Sequence, residues 1–318
     1  MMGQTLNRPG NSDLKRAQAG ALTQRPWYSL WRLELTGLFG ALGMAGLLLL
    51  TSAAQAEPGR IVAADGAVTE IIYALKAQDR LVGVDSTSSY LQAAQELPNI
   101  GYRRTLTAEG VLSLRPRKLI GTQEVGPKQT LDRLLQVGVE VHLLPALQQP
   151  EDLIARVRQV AALVEAQDTL PLLEQELSRS LTQVRSRAEQ VHGFKILFLL
   201  AAGPRGVMVA GQDTQAQLLL DWLGLENVAI TTPGYKPLSR EALLMLKPQA
   251  IIVAETEPGA FKEEEWPGLK LTEAGAQGRI LKLDSMYLLG FGPRLPQAMG
   301  EILKLVADSS GDQVSTHD

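Results

Sequence analysis

The segment Pro98-Asn-Ile-Gly-Tyr-Arg-Arg-Thr105 sets a phenol beside two guanidinium groups. In an extended stretch Tyr102 and Arg104 project to one side while Arg103 points away. A guanidinium next to a phenol favours the phenolate and lowers a pKa that otherwise sits near ~10. Phenolate oxygen is a hard anionic ligand suited to ferric iron, and tyrosine is a known axial ligand of haem. A Tyr-Arg pair that only packs a loop accounts for the same residues, and the segment taken alone leaves both readings open.

Other chemistry is thin. The three histidines, His142, His192 and His317, fall in or next to a strand, at the end of a long helix and in the C-terminal tail, with no spacing that suggests an imidazole cluster. The absence of cysteine removes thiol catalysis, iron-sulfur clusters and Cys-based zinc sites. No Gly-x-Gly-x-x-Gly follows the first strand, and neither a Walker loop nor a Gly-x-Ser-x-Gly elbow occurs. Gly203-Pro-Arg-Gly206 and Gly290-Phe-Gly-Pro-Arg294 are glycine-rich but lack dinucleotide spacing, so each reads as a turn. No positioned acid, base or nucleophile set emerges, which argues against an enzyme.

A chain of 318 residues, 45% hydrophobic and 20% charged, is long enough for two well-cored domains. Its net charge of −3, without a long basic tract, disfavours nucleic acid as a partner. The first 56 residues differ, carrying five basic and two acidic side chains and leaving 26 basic and 32 acidic beyond them, a net charge of −6. Within them the apolar run Leu35 to Leu50, followed by Ala54-Gln55-Ala56, has the order of a secretory signal. The expectation is cleavage after Ala56, with an uncleaved membrane anchor as the rival. With no cysteine to carry a lipid, export points to a free protein in a Gram-negative periplasm.

From Arg60 short β-rich runs alternate with helical stretches: Ile61 to Ala64, Val68 to Leu75, Leu81 to Val84, Lys118 to Gly121, Gln129 to Val137 and Val139 to Leu144. A helical block then runs from Glu151 to Val191, with a break where Asp168 can cap and Pro171 can occupy the first turn. Leu173, Leu177, Leu181, Val184, Ala188 and Val191 form one apolar stripe on its second helix. Such a helix, on the order of 30 Å long, can bridge two domains, or pack as an ordinary helix on one. Alternation resumes at Lys195 to Leu200, Thr214 to Leu223, Ala250 to Ala254 and Ile280 to Leu283, and a closing helix spans Pro296 to Val306. The decamer Thr107-Ala-Glu-Gly-Val-Leu-Ser-Leu-Arg-Pro116 is echoed 132 residues later by Ser239-Arg-Glu-Ala-Leu-Leu-Met-Leu-Lys-Pro248, each with a hydroxyl N-cap, a first-turn Glu and a basic-Pro stop. The simplest explanation is two lobes of similar build.

Gly101-Tyr-Arg-Arg104, the run Leu106 to Pro116, Gly234-Tyr-Lys-Pro-Leu-Ser239 and Leu288-Leu-Gly-Phe-Gly-Pro-Arg294 together resemble the haem-binding periplasmic proteins of ABC haem importers, over residues 60 to 306. The resemblance implies an α/β protein of two Rossmann-like lobes with central parallel-rich sheets, joined by one long α-helix, with haem in the cleft. The expected divisions are a signal and flank (1–56), an N-terminal lobe (57–167), the linking helix (168–192), a C-terminal lobe (193–308) and a polar tail (309–318). It makes Tyr102 the iron ligand and Arg104 its support. Arg103 stands where an apolar residue is more usual and would make the rim more basic. Tyr90, Arg205, Tyr235, Lys236, Met286, Tyr287 and Arg294 become pocket residues, the cations for propionates and the aromatics for the porphyrin. Ala202-Gly-Pro-Arg205 lacks the histidine some relatives place there, which disfavours a second haem.

First-turn carboxylates Glu109 and Glu241 stabilise their helices by roughly 0.3–1 kcal/mol each through the macrodipole. The resemblance adds docking to an ABC permease dimer in the inner membrane, with an outer-membrane receptor or other haem donor upstream. Two alternatives stand: a cobalamin or ferric-siderophore carrier of the same fold, and a periplasmic haem-modifying enzyme.

Overall fold

The computed structural model describes residues 59–191, 193–202 and 206–311. The expected signal and its flank, His192, Arg205, His317 and most of the polar tail lie outside them.

The first lobe begins with β1 (Ile61–Ala63), α1 (Gly66–Ala74), β2 (Leu81–Val84) and α2 (Ala108–Ser113). It continues through β3 (Lys118–Thr122), α3 (Lys128–Gln136), β4 (Glu140–Leu144) and α4 (Asp152–Leu163). The strands pair in the order β2-β1-β3-β4, all parallel, with Ile61 opposite both Leu81 and Lys118. Helices cover both faces of such a sheet, which explains why every residue of β1 is apolar and buried. The order turns back between β1 and β3, so the loops leaving these two strands diverge and open a crevice at their carboxyl ends.

Helix α5 (Leu170–Ala188) follows, and Leu177, Leu181, Val184 and Ala188 are its buried stripe. Pro171 sits in the first turn as expected, but Asp168 is not the cap. Thr169 occupies that place without a capping bond, because its hydroxyl donates to the Leu75 carbonyl at 2.9 Å and ties the start of α5 to the end of α1.

The second lobe contains β5 (Lys195–Ala201), β6 (Val207–Ala210), α6 (Gln215–Trp222), β7 (Glu226–Asn227), β8 (Tyr235–Pro237), α7 (Arg240–Leu246) and β9 (Ala250–Glu255). It closes with α8 (Glu273–Ala276), β10 (Ile280–Asp284), α9 (Ser285–Leu289) and α10 (Leu295–Gly311). Strands β10, β9, β5 and β7 run parallel, whereas β6 pairs antiparallel with both β5 and β8, so this sheet is mixed. Strands β6 and β8 are invisible to a reading based on βα alternation. β6 returns on β5 without an intervening helix, and β8, with Pro237 in it, is tolerated because it is the sheet edge.

The internal repeat is structural. Thr107 Oγ1 accepts from the Gly110 amide and Ser239 Oγ from the Ala242 amide, both at 3.1 Å. The matching basic residues Arg115 and Lys247 both turn left-handed, at φ 48° and 46°, before their prolines. Thr107→Ala and Ser239→Ala are each expected to cost about 1 kcal/mol, and together about the sum because the sites lie in different lobes. Urea unfolding of the singles and the double checks this; losses of a few tenths would mean that the caps contribute only geometry.

One continuous core joins the lobes. It runs from Ile61, Ile71, Leu153 and Val160 through Leu177 and Val184 to Phe198, Leu219 and Ile302. A hinge opening would have to part these side chains, so the linking helix acts as packed structure as well as a spacer. Among the described residues no helix is long and apolar enough to cross a membrane.

Candidate functional site

The crevice between β1 and β3 is lined by charge. Asp65 follows β1, is only 3% exposed and caps α1 by accepting from the Ala67 amide at 2.9 Å. Its other oxygen accepts from the Thr122 hydroxyl at 3.0 Å and lies 3.1 Å from Arg103 Nη1. Arg103 Nη2 also pairs with Glu124, and Arg104 Nη2 donates to the second Glu124 oxygen at 2.7 Å. Burial opposes the charge on Arg103, but Asp65 and Glu124 outweigh it and raise its pKa further. Burial would likewise raise Glu124, yet the two arginines hold its carboxyl below the usual range. Beside them burial pushes the Asp85 carboxyl up to about 6, despite the hydrogen bonds it accepts from Thr87.

Tyr102 stands at the edge of this network. Its loop is pinned at the ends of β2 and β3: Ser86 N donates to the Gly101 carbonyl and Gly126 N to that of Arg103, both at 2.9 Å. Gly101 has φ +90°, a conformation other residues rarely adopt. Residues 103–105 form a 3-10 turn rather than an extended run. The alternation nevertheless holds, with Tyr102 44% exposed, Arg104 exposed and Arg103 buried. Two expectations change. Arg103 does not make the rim more basic, because its charge is neutralised inside the crevice. Arg104 lies beside Tyr102 in sequence but pairs with Glu124; the Tyr102 hydroxyl has no hydrogen-bond partner among the described residues.

The facing wall belongs to the second lobe. Tyr235 is half-buried there, and burial pushes its phenol up to about 12, with the Glu124 charge adding to the rise. Lys236 is exposed. Met286 reaches across to α1: a β-carbon at Gly66 would fall 2.5 Å from the Thr87 carbonyl oxygen and 3.2 Å from Met286 Cε, so only glycine fits there.

Tyr90, Tyr287 and Arg294, expected to face a ligand, instead join the lobes. Arg294 donates to Glu70 Oε1 from its amide at 2.9 Å and from Nε at 3.0 Å, and its guanidinium lies over the rings of Tyr90 (4.7 Å) and Tyr287 (5.0 Å). The Tyr90 hydroxyl donates to Glu70 Oε2 at 2.6 Å, and burial, then the Glu70 charge, raises its pKa. Arg294 is thus already occupied and is not a free cation for a carboxylate. Arg294→Ala should cost about 2 kcal/mol, below the roughly 3–5 kcal/mol of a fully buried pair because 38% of its side chain is exposed. Arg294→Lys should recover only part, since a point charge cannot reproduce the fork. Thermal unfolding distinguishes the three proteins, and an unchanged midpoint in Arg294→Ala would remove the latch from the account.

Glu109 and Glu241 are exposed in the first turns of α2 and α7. His142 lies in β4, 3.6 Å from Glu140. Among the described residues no three His, Asp or Glu side chains are grouped to hold a metal ion.

Between the lobes lies a cavity of about 130 Å³ whose lining includes Asp65, Arg103, Glu124, Arg156, Gln215 and Phe291. Of these only Arg103 was read from the sequence as a site residue. Arg156 had a signal: it interrupts the buried face of α4 formed by Leu153, Val157 and Val160. Asp65 had one as well, a carboxylate N-cap just after an apolar strand.

Residues 61–287 match the family described as periplasmic binding protein. Among solved structures, the periplasmic haem-binding protein RhuT from Roseiflexus sp. RS-1, in apo form, is similar with a TM-score of 0.71 and 32% identity, covering 79% of this chain and 98% of that one. A periplasmic haem-binding protein from Pseudomonas aeruginosa gives 0.67 and 35%, covering 77% and 91%. A vitamin B12-binding protein of Pectobacterium carotovorum subsp. carotovorum (strain PC1) is 26% identical over 211 residues, 66% of this chain and 76% of its own. The two-lobed α/β fold is similar to theirs, and this chain belongs to the periplasmic binding protein family, the substrate-binding components of ABC transporters.

Proposed function

We propose that the protein captures haem between its lobes through Tyr102 and hands it to an ABC permease, without catalysing a reaction. The observation that carries this reading is Tyr102 itself: an exposed phenol with no hydrogen-bond partner among the described residues, on a loop pinned at the carboxyl ends of β2 and β3. Strand ends of this kind are where open α/β sheets bind ligands. The two haem-binding structures at 32% and 35% identity support the same choice.

In this reading Arg104 exchanges part of its contact with Glu124 for the Tyr102 phenolate when iron binds. Lys236 is a cation available to propionates, as is Arg205 by the sequence resemblance alone, and Tyr235 and Met286 face the porphyrin. Glu109 and Glu241, one per lobe, meet arginines on the two permease subunits. The working compartment is the periplasm, reached by cleavage after Ala56, and an outer-membrane receptor or another carrier supplies the haem.

A cobalamin or ferric-siderophore carrier is the second reading, favoured by the 26%-identical vitamin B12-binding relative. Such cargo does not require a free phenol beside an arginine. Competition decides: haemin should quench tryptophan fluorescence and persist in excess cyanocobalamin, whereas tight cobalamin binding that displaces haemin would overturn the proposal. A haem-modifying enzyme is separated by incubating the loaded protein with reductant, after which intact haem should be recovered.

A further inference from the structure

The haem reading leaves the two most deeply buried arginines of the crevice without a task. Arg156 is 6% exposed and Arg103 8%, and both line the cavity between the lobes. Arg103 has carboxylate partners in Asp65 and Glu124. Arg156 has none within 4.0 Å: its Nη2 donates to the Pro145 carbonyl at 2.8 Å and its Nη1 to the Phe291 carbonyl of the other lobe at 3.4 Å. Asp65 and Asp152 act on it only through space, and burial lowers its pKa below the ordinary arginine value.

A buried guanidinium that meets only carbonyls is poorly compensated, because two neutral acceptors do not replace a counter-charge. Moreover, the Nε–H groups of both Arg103 and Arg156 are sealed off without a partner, so each guanidinium is less fully satisfied than buried donors usually are. The exposed Gln123 and half-buried Gln215 add amides to the same wall, and Leu147, Leu218 and Phe291 supply its apolar part. At about 130 Å³ the space has room for a small planar anion.

We infer that the floor of the interlobe crevice is a carboxylate-binding site built on Arg103 and Arg156. It lies apart from the iron-ligand position, since Tyr102 does not line the cavity. A carboxylate there supplies the counter-charge that Arg156 lacks. It has two possible sources: a carboxylate arm of the captured cargo, which rests on the haem reading, or a free monocarboxylate, which does not.

Two measurements on the full chain test the site and separate the sources. In the first, thermal midpoints are recorded in sodium acetate and in sodium chloride at equal ionic strength. Acetate should raise the midpoint of the wild type through mass action and leave Arg156→Met unchanged. In the second, haemin and its dimethyl ester are titrated into both proteins. If a cargo arm fills the site, the ester binds the wild type roughly ten- to a hundredfold more weakly than haemin, and Arg156→Met loses a large part of that preference, the part owed to Lys236 remaining, with an unchanged iron spectrum.

Stabilisation by acetate without discrimination against the ester supports the site with a free carboxylate as occupant. Neither acetate stabilisation nor ester discrimination in the wild type would overturn the proposal and leave Arg156 as a bridge between carbonyls. Both wild-type arms stand if Arg156→Met fails to fold. Failure of haemin to bind at all would sink the haem reading, while the acetate arm would still decide the site.

Discussion

Asp65→Ala is expected to lower folding stability by about 3–5 kcal/mol, the largest effect of any single substitution in the crevice. Three losses coincide in this change. The amide of Ala67 loses its cap, the Thr122 hydroxyl loses its acceptor, and Arg103 keeps Glu124 as its only counter-charge while remaining buried. The cap alone is worth about 1 kcal/mol, so most of the effect comes from a desolvated guanidinium left half-paired. The double variant Asp65→Ala/Arg103→Met removes that cation and should regain most of the loss above the cap term, as neighbouring groups in one network do not add. Urea midpoints at constant slope measure both variants. A double variant as unstable as the sum of the singles would show that the pair does not act as a unit.

Much of the architecture was legible because it is written in periodicity. The apolar stripe of α5, the strands β1, β3, β5 and β9, and the duplicated capped helices each carry a local pattern, and each appears where that pattern places it. β6 and β8 were not legible, since a short antiparallel return and an edge strand ending in proline resemble loops. The site divided along the same line. Alternation correctly sent Arg103 away from Tyr102, but nothing local shows that its destination is Asp65, 38 positions earlier in the sequence.

Arg294 illustrates the same limit. A cation in a glycine-rich loop suggests an anionic ligand, yet its partner Glu70 lies 224 residues away on α1, where a lone carboxylate on a buried helix face was the available sign. Residue types near a cleft therefore narrow the chemistry. Which of them remain free for a ligand is decided by long-range pairing, and pairing has no signature within a segment.

That distinction sharpens the role of Tyr102. Tyr90 and Tyr287 are engaged, by Glu70 and by the Arg294 guanidinium respectively, Tyr235 is half-buried, and burial raises the pKa of all three. Tyr102 is the phenol left exposed at the end of the crevice. Removing its ring should weaken haemin binding by more than the roughly 10- to 100-fold typical of losing an outer-shell partner of a metal ligand. Tyr102→Phe isolates the oxygen, because it keeps the ring and leaves the pinned loop unchanged.

The most direct measurement is the visible absorption spectrum of haemin titrated into the wild type, Tyr102→Phe and Tyr102→Ala. The account predicts a saturable spectral shift in the wild type, lost or replaced by a different ligand spectrum in both variants, with folding unchanged by circular dichroism. A wild type that leaves the haemin spectrum unaltered, or variants that reproduce the wild-type bands, would contradict it.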